Sequence, residues 1–159
     1  MTRRALTLAA IILAAAIAAA PQAAPQQDST PAPQNQKETD VFDERAAAAV
    51  LGTIRNGLEA HSPRLLLSAF DGDKMDGFLT FQDQIEAYFT TYQSFRVSYH
   101  IVQTSEENHR GIILADFQIE NEPRDGSPIV HRQAQLRFEL ERAPKGWKIV
   151  DFNPRGFFS

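Results

Sequence analysis

The chain has no cysteine, which excludes a disulfide, thiolate chemistry and a lipid anchor attached through a thiol. It also has no block of like charge: 16 Lys and Arg are scattered among 20 Asp and Glu, for a formal charge of -4. An acidic chain without grouped cations is a poor nucleic-acid partner, because neutralising phosphates needs Lys and Arg held together. Glycine-rich phosphate loops and serine-elbow motifs are missing too, and no motif implies a cofactor. Stability must therefore come from apolar burial.

At the start of the chain, Arg3 and Arg4 precede an uncharged apolar run, Ala5 to Ala20, followed by small residues that suit signal cleavage. Residues 1–24 read as a secretory signal, with an uncleaved N-terminal anchor as the alternative. The run is Ala-rich and short beside the roughly 20 strongly apolar residues of a membrane span. The expected location is periplasmic or secreted, with no stable membrane anchor once the signal is removed. Residues 25–39, rich in Pro, Gln, Ala and Ser, hold almost no large apolar side chain and are expected to be a disordered linker. One domain follows, residues 40–159.

Apolar residues then recur at helical spacing. Asp40 is the expected N-cap of a first helix, with Asp43 in its first turn and Ala47, Val50, Leu51, Ile54 and Leu58 on one stripe. Ser62-Pro63 restarts a short helix expected to be deeply buried. After the break Asp71 to Gly77, Thr80 is the expected cap of a third helix, whose apolar face is Phe81, Ile85, Tyr88, Phe89 and Tyr92.

From Ser94 the period becomes two. Phe95, Val97, Tyr99 and Ile101 share one face of a first strand; Ile113, Ala115, Phe117 and Ile119 share one face of a second, Arg110 to Glu120. Asn121 to Pro128 reads as a loop. Val130 to Leu140 alternates from Ala134 onward, with Leu136, Phe138 and Leu140 on the buried side. Pro144 to Gly146 is a hairpin turn before Trp147 to Phe152. The pattern predicts an α+β fold, three N-terminal helices packed on a curved four-stranded antiparallel sheet.

The helix junction Leu58 to Phe70, the third helix leading into Phe95-Arg-Val-Ser-Tyr, and the closing Gly146-Trp-Lys-Ile-Val-Asp-Phe152 resemble the nuclear transport factor 2-like superfamily, the cystatin-like cone. The resemblance covers about Asp40 to Phe158. It implies a cone-shaped apolar pocket. Members of that superfamily serve as isomerases, dehydratases, cyclases, oxygenase subunits or plain binding modules, so function rests on the site. The steroid-isomerase-like branch uses a helix-one Tyr, an Asp base after helix two and a long-strand acid. Here those places fall near Ile54, in the break Asp71 to Gly77, and near Ala134 to Leu136. None of the three roles is filled.

Among acids, Asp116 interrupts an apolar strand, but parity turns it away from the helices with Gln118. Asp151 shares parity with Trp147 and Ile149, so it either enters the cone near Tyr88 or Tyr99 or pairs with Arg155. Asp71, Asp73 and Asp76 fail the calcium-loop count, since Met75 and Gln82 hold ligand positions. His61, His100, His109 and His131 show no metal spacing. No metal is expected.

Two readings result. The first is an exported non-catalytic module that binds a small apolar ligand through Tyr88, Tyr92, Tyr99, Phe117, Phe138 and Trp147. It would homodimerise or bind another protein through an outer sheet face of Val102, Ile112, Leu114, Gln133, Gln135 and Arg137. The second is a small cofactor-independent lyase, isomerase or cyclase using Asp151 with Tyr88 or Tyr99. An ionisable group facing the cavity discriminates them.

Overall fold

The computed structural model describes residues 42–159; the expected signal, the linker and Asp40 lie outside them. Three helices, α1 (Glu44–Glu59), α2 (Pro63–Leu67) and α3 (Phe78–Thr91), precede four strands. These are β1 (Tyr92–Glu107), β2 (Arg110–Pro123), β3 (Val130–Ala143) and β4 (Gly146–Asn153), and a 3-10 turn follows at Arg155–Phe158. The strands form one antiparallel sheet in the order β1-β2-β3-β4, so the period switch near Ser94 divides the layers as expected.

The buried stripe of α1 is the predicted one, Ala47, Val50, Leu51, Ile54 and Leu58, with Gly57 added. The cap differs. Asp43, not Asp40, is the N-cap, and its carboxylate accepts from the Ala46 amide at 2.7 Å. Asp43 lies three residues before that N–H, the spacing a cap requires. Ser62 caps α2 as expected, accepting from Leu65 N at 3.3 Å. That helix is less buried than its leucines suggested, for only Leu66 is enclosed and Leu65 is 38 % exposed. Five residues give little more than one turn, so only one position in it faces inward. Helix α3 starts earlier than Thr80 predicts, at Phe78, behind Gly77 in the left-handed region with φ 71°. The break Asp71 to Gly77 is not wholly solvated either: Met75 is buried.

Alternation places Ile113, Ala115, Phe117, Ile119, Leu136, Phe138 and Leu140 against the helices, and all are buried. β2 runs on to Pro123, past the loop expected from Asn121. The reason is parity: Asn121 continues the inward row of Ile113 to Ile119 and pairs with Val130 and Phe95. Asn108 and His109 turn the first hairpin at φ 52° and 64°, positive values that suit a tight two-residue connection.

Both sheet edges are engaged, β1 by the end of α1 and β4 by the segment that follows α2. On β1 the Val97 amide donates to Glu59 Oε1 at 3.1 Å. On β4 Ile149 donates to Ala69 O at 2.9 Å and accepts from the Asp71 amide at 2.8 Å. Such cover blunts the unpaired edge groups that would template another strand.

Candidate functional site

Register decides which side chains meet between sheet and helices. Along β2 the inward row runs from Gly111 to Asn121, ten residues or roughly 33 Å at strand rise. The six side chains expected to line a pocket are spread over that length. Tyr88 and Tyr92 meet at the Asn121 end, ring centroids 5.1 Å apart. Tyr99, Phe117 and Phe138 occupy the middle, Phe117 lying 5.4 Å from Tyr99 and 5.8 Å from Phe138. Trp147 is at the far end, 4.9 Å from Phe42. Phe117 and Phe138 are fully buried, whereas Tyr92 and Tyr99 are half-buried. The Tyr99 hydroxyl donates to Ala48 O of α1 at 3.3 Å.

Asp151 is not on the face that simple alternation gives it. Glu139 pairs with Asp151 and Leu140 with Ile149, which leaves Val150 as an extra residue, a β-bulge. Beyond the bulge parity inverts, so Phe152 faces the helices opposite Phe138 while Asp151 joins Glu139 on the outer side. There its carboxylate accepts from the Arg155 guanidinium and from the Phe152 amide. Of the two sequence expectations for Asp151, the pairing with Arg155 is present and the cone position is not. Asp116 also lies outward, accepting from Gln135 Nε2 at 2.9 Å.

The polar group that does face inward was missed. Asn121 is the one fully buried polar residue among those described. Its side-chain oxygen accepts from the Tyr88 hydroxyl, and its amide nitrogen donates to Val130 O at 2.9 Å. Arg132, inward by parity opposite Ile119, holds its guanidinium 5.3 Å above the Tyr88 ring. Burial is the main force raising the Tyr88 pKa well above its ordinary 10.0; the Arg132 charge opposes it. Tyr88 is thus a neutral donor. Alternation carried beyond Glu120 would have found Asn121, but nothing in the sequence pairs it with Tyr88.

A pH effect follows from that phenol. Since the folded state resists ionising it, the unfolded chain loses the proton first. Its contribution is fully present below about pH 10 and is lost as pH rises above that. Replacing Tyr88 by Phe should cost about 1–3 kcal/mol at neutral pH, through the stranded Asn121 oxygen. It should also remove the Tyr88 part of the alkaline decline. Urea midpoints for both chains between about pH 8 and 11 read both effects.

On the outer face, a shallow cleft of about 190 Å³ is bordered by Arg96, Ser98, Gln118, Glu120, His131 and Gln133. Val102, an extra residue at a second bulge, is 46 % exposed, Leu114 is half-buried and Ile112 is nearly covered. The end of the face near the first hairpin is charged. Glu141 accepts from Lys74 and Arg110, both at 2.8 Å, and Glu139 accepts from Arg110 and Arg137. No helix among the described residues is long and apolar enough to cross a membrane.

No protein-family model matches the sequence, and neither does any curated protein sequence. Solved structures do match. A conserved protein from Planctomyces limnophilus superposes with TM-score 0.60 at 15 % identity, covering 69 % of this chain and 92 % of that one. A ketosteroid isomerase-like protein from Erwinia carotovora atroseptica gives 0.56 at 13 %, covering 70 % and 95 %. A nuclear transport factor 2-like superfamily protein from Salmonella enterica serovar Typhimurium gives 0.59 at 11 %, covering 68 % and 86 %. Identities this low carry architecture and no activity. In architecture, three helices laid over four antiparallel strands, the chain is nuclear transport factor 2-like.

Proposed function

We propose that the chain is an exported, non-catalytic binding module. It takes a small apolar ligand between sheet and helices, and it pairs with a second copy of itself through the outer sheet face. The observation that carries the non-catalytic part is the Val150 bulge, which turns Asp151 outward onto Arg155. Among the described residues no carboxylate is buried, so a carboxylate base aimed at the enclosed aromatic space is lacking. Tyr88, a buried ionisable side chain there, stays protonated and can donate a hydrogen bond but not remove a proton. Export is supported by the charged and apolar opening of the sequence. Pairing is supported by exposed Val102 and half-buried Leu114 set among glutamines, a mixed composition that suits an interface.

Two measurements test this. Asp151→Asn should leave the fold unchanged, since it alters only a solvated pair. A reaction catalysed by the parent chain and lost in Asp151→Asn would establish the lyase, isomerase or cyclase alternative instead. Sedimentation should show a dimer that Leu114→Arg dissociates. A monomer at every concentration would remove the sheet interface.

A further inference from the structure

Arg132 is an inward-facing cation with an incomplete partner set. Its Nη1 donates to the main-chain carbonyl of Phe157 at 3.1 Å, and its plane lies over Tyr88. Among the described residues no carboxylate lies within ion-pair distance of it. A guanidinium has five donors in a planar fork, matched by a carboxylate rather than by one carbonyl oxygen. Half-buried as it is, the charge lacks the counter-charge that would best offset its desolvation.

The turn Arg155–Phe158 supplies what now sits there. The Phe157 ring packs 6.2 Å from Phe117, and Phe158 is fully buried between Phe81, at 6.4 Å, and Phe152, at 5.7 Å. The turn therefore offers the inner face an aromatic body together with an oxygen acceptor. It is held by rim contacts, Arg155 donating to Asp76 O at 2.9 Å and to Asp151. These are exposed contacts of the kind that water weakens.

We infer that Arg132 is the anchor for the carboxylate of a small apolar acid, and that the Arg155–Phe158 turn is the internal occupant of that acid's site. The inference rests on the binding-module reading and names its ligand class. An incoming acid's apolar body takes the place of the Phe157 ring against Phe117, which offsets the burial lost by that ring. It also exchanges a neutral acceptor for a charge-assisted, two-pronged one, and that difference favours the acid.

The test is calorimetric titration of the full chain with 3-phenylpropionate and with its uncharged analogue 3-phenylpropanol. The acid should bind about tenfold tighter than the alcohol, and Arg132→Gln should erase that preference. Phe157→Ala, which removes the competing ring, should tighten the acid by about another tenfold. Equal binding of acid and alcohol, a preference that survives Arg132→Gln, or no binding by either chain overturns the inference. Should Phe157→Ala not fold, hydrogen exchange on the parent chain decides the internal occupant. The Phe157 and Ser159 amides, now bonded to Pro154 O and Gly156 O, should lose protection when the acid binds. Unchanged exchange in a saturated complex overturns the displacement. Conversion of either probe to product would instead overturn the binding-module reading, so the two failures are distinct.

Discussion

Phe117→Ala is expected to destabilise the domain by about 3–5 kcal/mol, the range for truncating a fully buried aromatic side chain. Phe117 is on the central part of β2, enclosed, with Tyr99 stacked on one side and Phe138 and Phe157 on the others. Its partners across the sheet are Tyr99 and Ala134. Ala134 is too small to fill the space left, and Tyr99 is tied to α1 through Ala48. The cavity would therefore stay open, and the cost should fall toward the upper end. A small domain is stable by about 5–15 kcal/mol in total, so the variant would sit near the limit of folding. Urea denaturation measures the loss directly. A change under about 1 kcal/mol would mean that Phe117 does not lie in the core.

The neighbouring residue supplies the contrast. Asp116 is one position away but on the outer face, bonded to Gln135 in water. Asp116→Ala should cost about 1 kcal/mol or less. The two substitutions together test the register of β2, because a one-residue slip would exchange their effects.

That register was legible in the sequence because alternation is a local property. A strand's buried face can be read wherever two or three apolar residues recur at i and i+2, as at Ile113, Ala115 and Phe117. The helix stripes were legible for the same reason. A bulge is different: it depends on how two strands align, and neither strand alone reports it. Val150 and Val102 both look like ordinary members of their strands, yet each is the extra residue. Simple alternation puts Asp151 on the face of Trp147 and Ile149 for this reason, and only its pairing with β3 shows the inversion. Asn121 was missed through the opposite error. Its polarity and the prolines after it suggested a loop, although its inward parity was intact. The Tyr88–Asn121 bond joins residues 33 positions apart, and the Arg132–Phe157 bond spans 25, so only the folded chain brings them together. The site that results combines residues noted for other reasons, Tyr88 as a pocket tyrosine, with Arg132 and Asn121, which periodicity does not single out.

Gly57→Ala is the second large effect, and its sign opposes the usual helix rule. Alanine in a helix interior is favoured over glycine by about 1 kcal/mol, so a sequence-based argument predicts a gain. Gly57, in the last turn of α1, is buried against Leu66 of α2. A Cβ there would lie 2.4 Å from Leu66 N, 2.6 Å from Leu66 Cα and 2.8 Å from Leu66 Cβ. Two of those atoms are main chain and cannot swing aside as a side chain would. Nor can α2 move freely: Ser62 N is bonded to Gly57 O at 2.8 Å, and Leu66 itself is fully enclosed in the core. Separating the two helices would therefore disturb both the junction and the packing beneath it. Overpacking of this kind costs about 1–3 kcal/mol, occasionally more, and contact with backbone places it at the high end. Net of the propensity gain, Gly57→Ala should destabilise by about 2 kcal/mol, and Gly57→Val by more. At roughly 4 °C per kcal/mol for a domain of this size, the melting temperature should fall by about 8 °C. A rise instead would show that α2 yields readily, and that the close approach of the two helices is not a constraint on the fold.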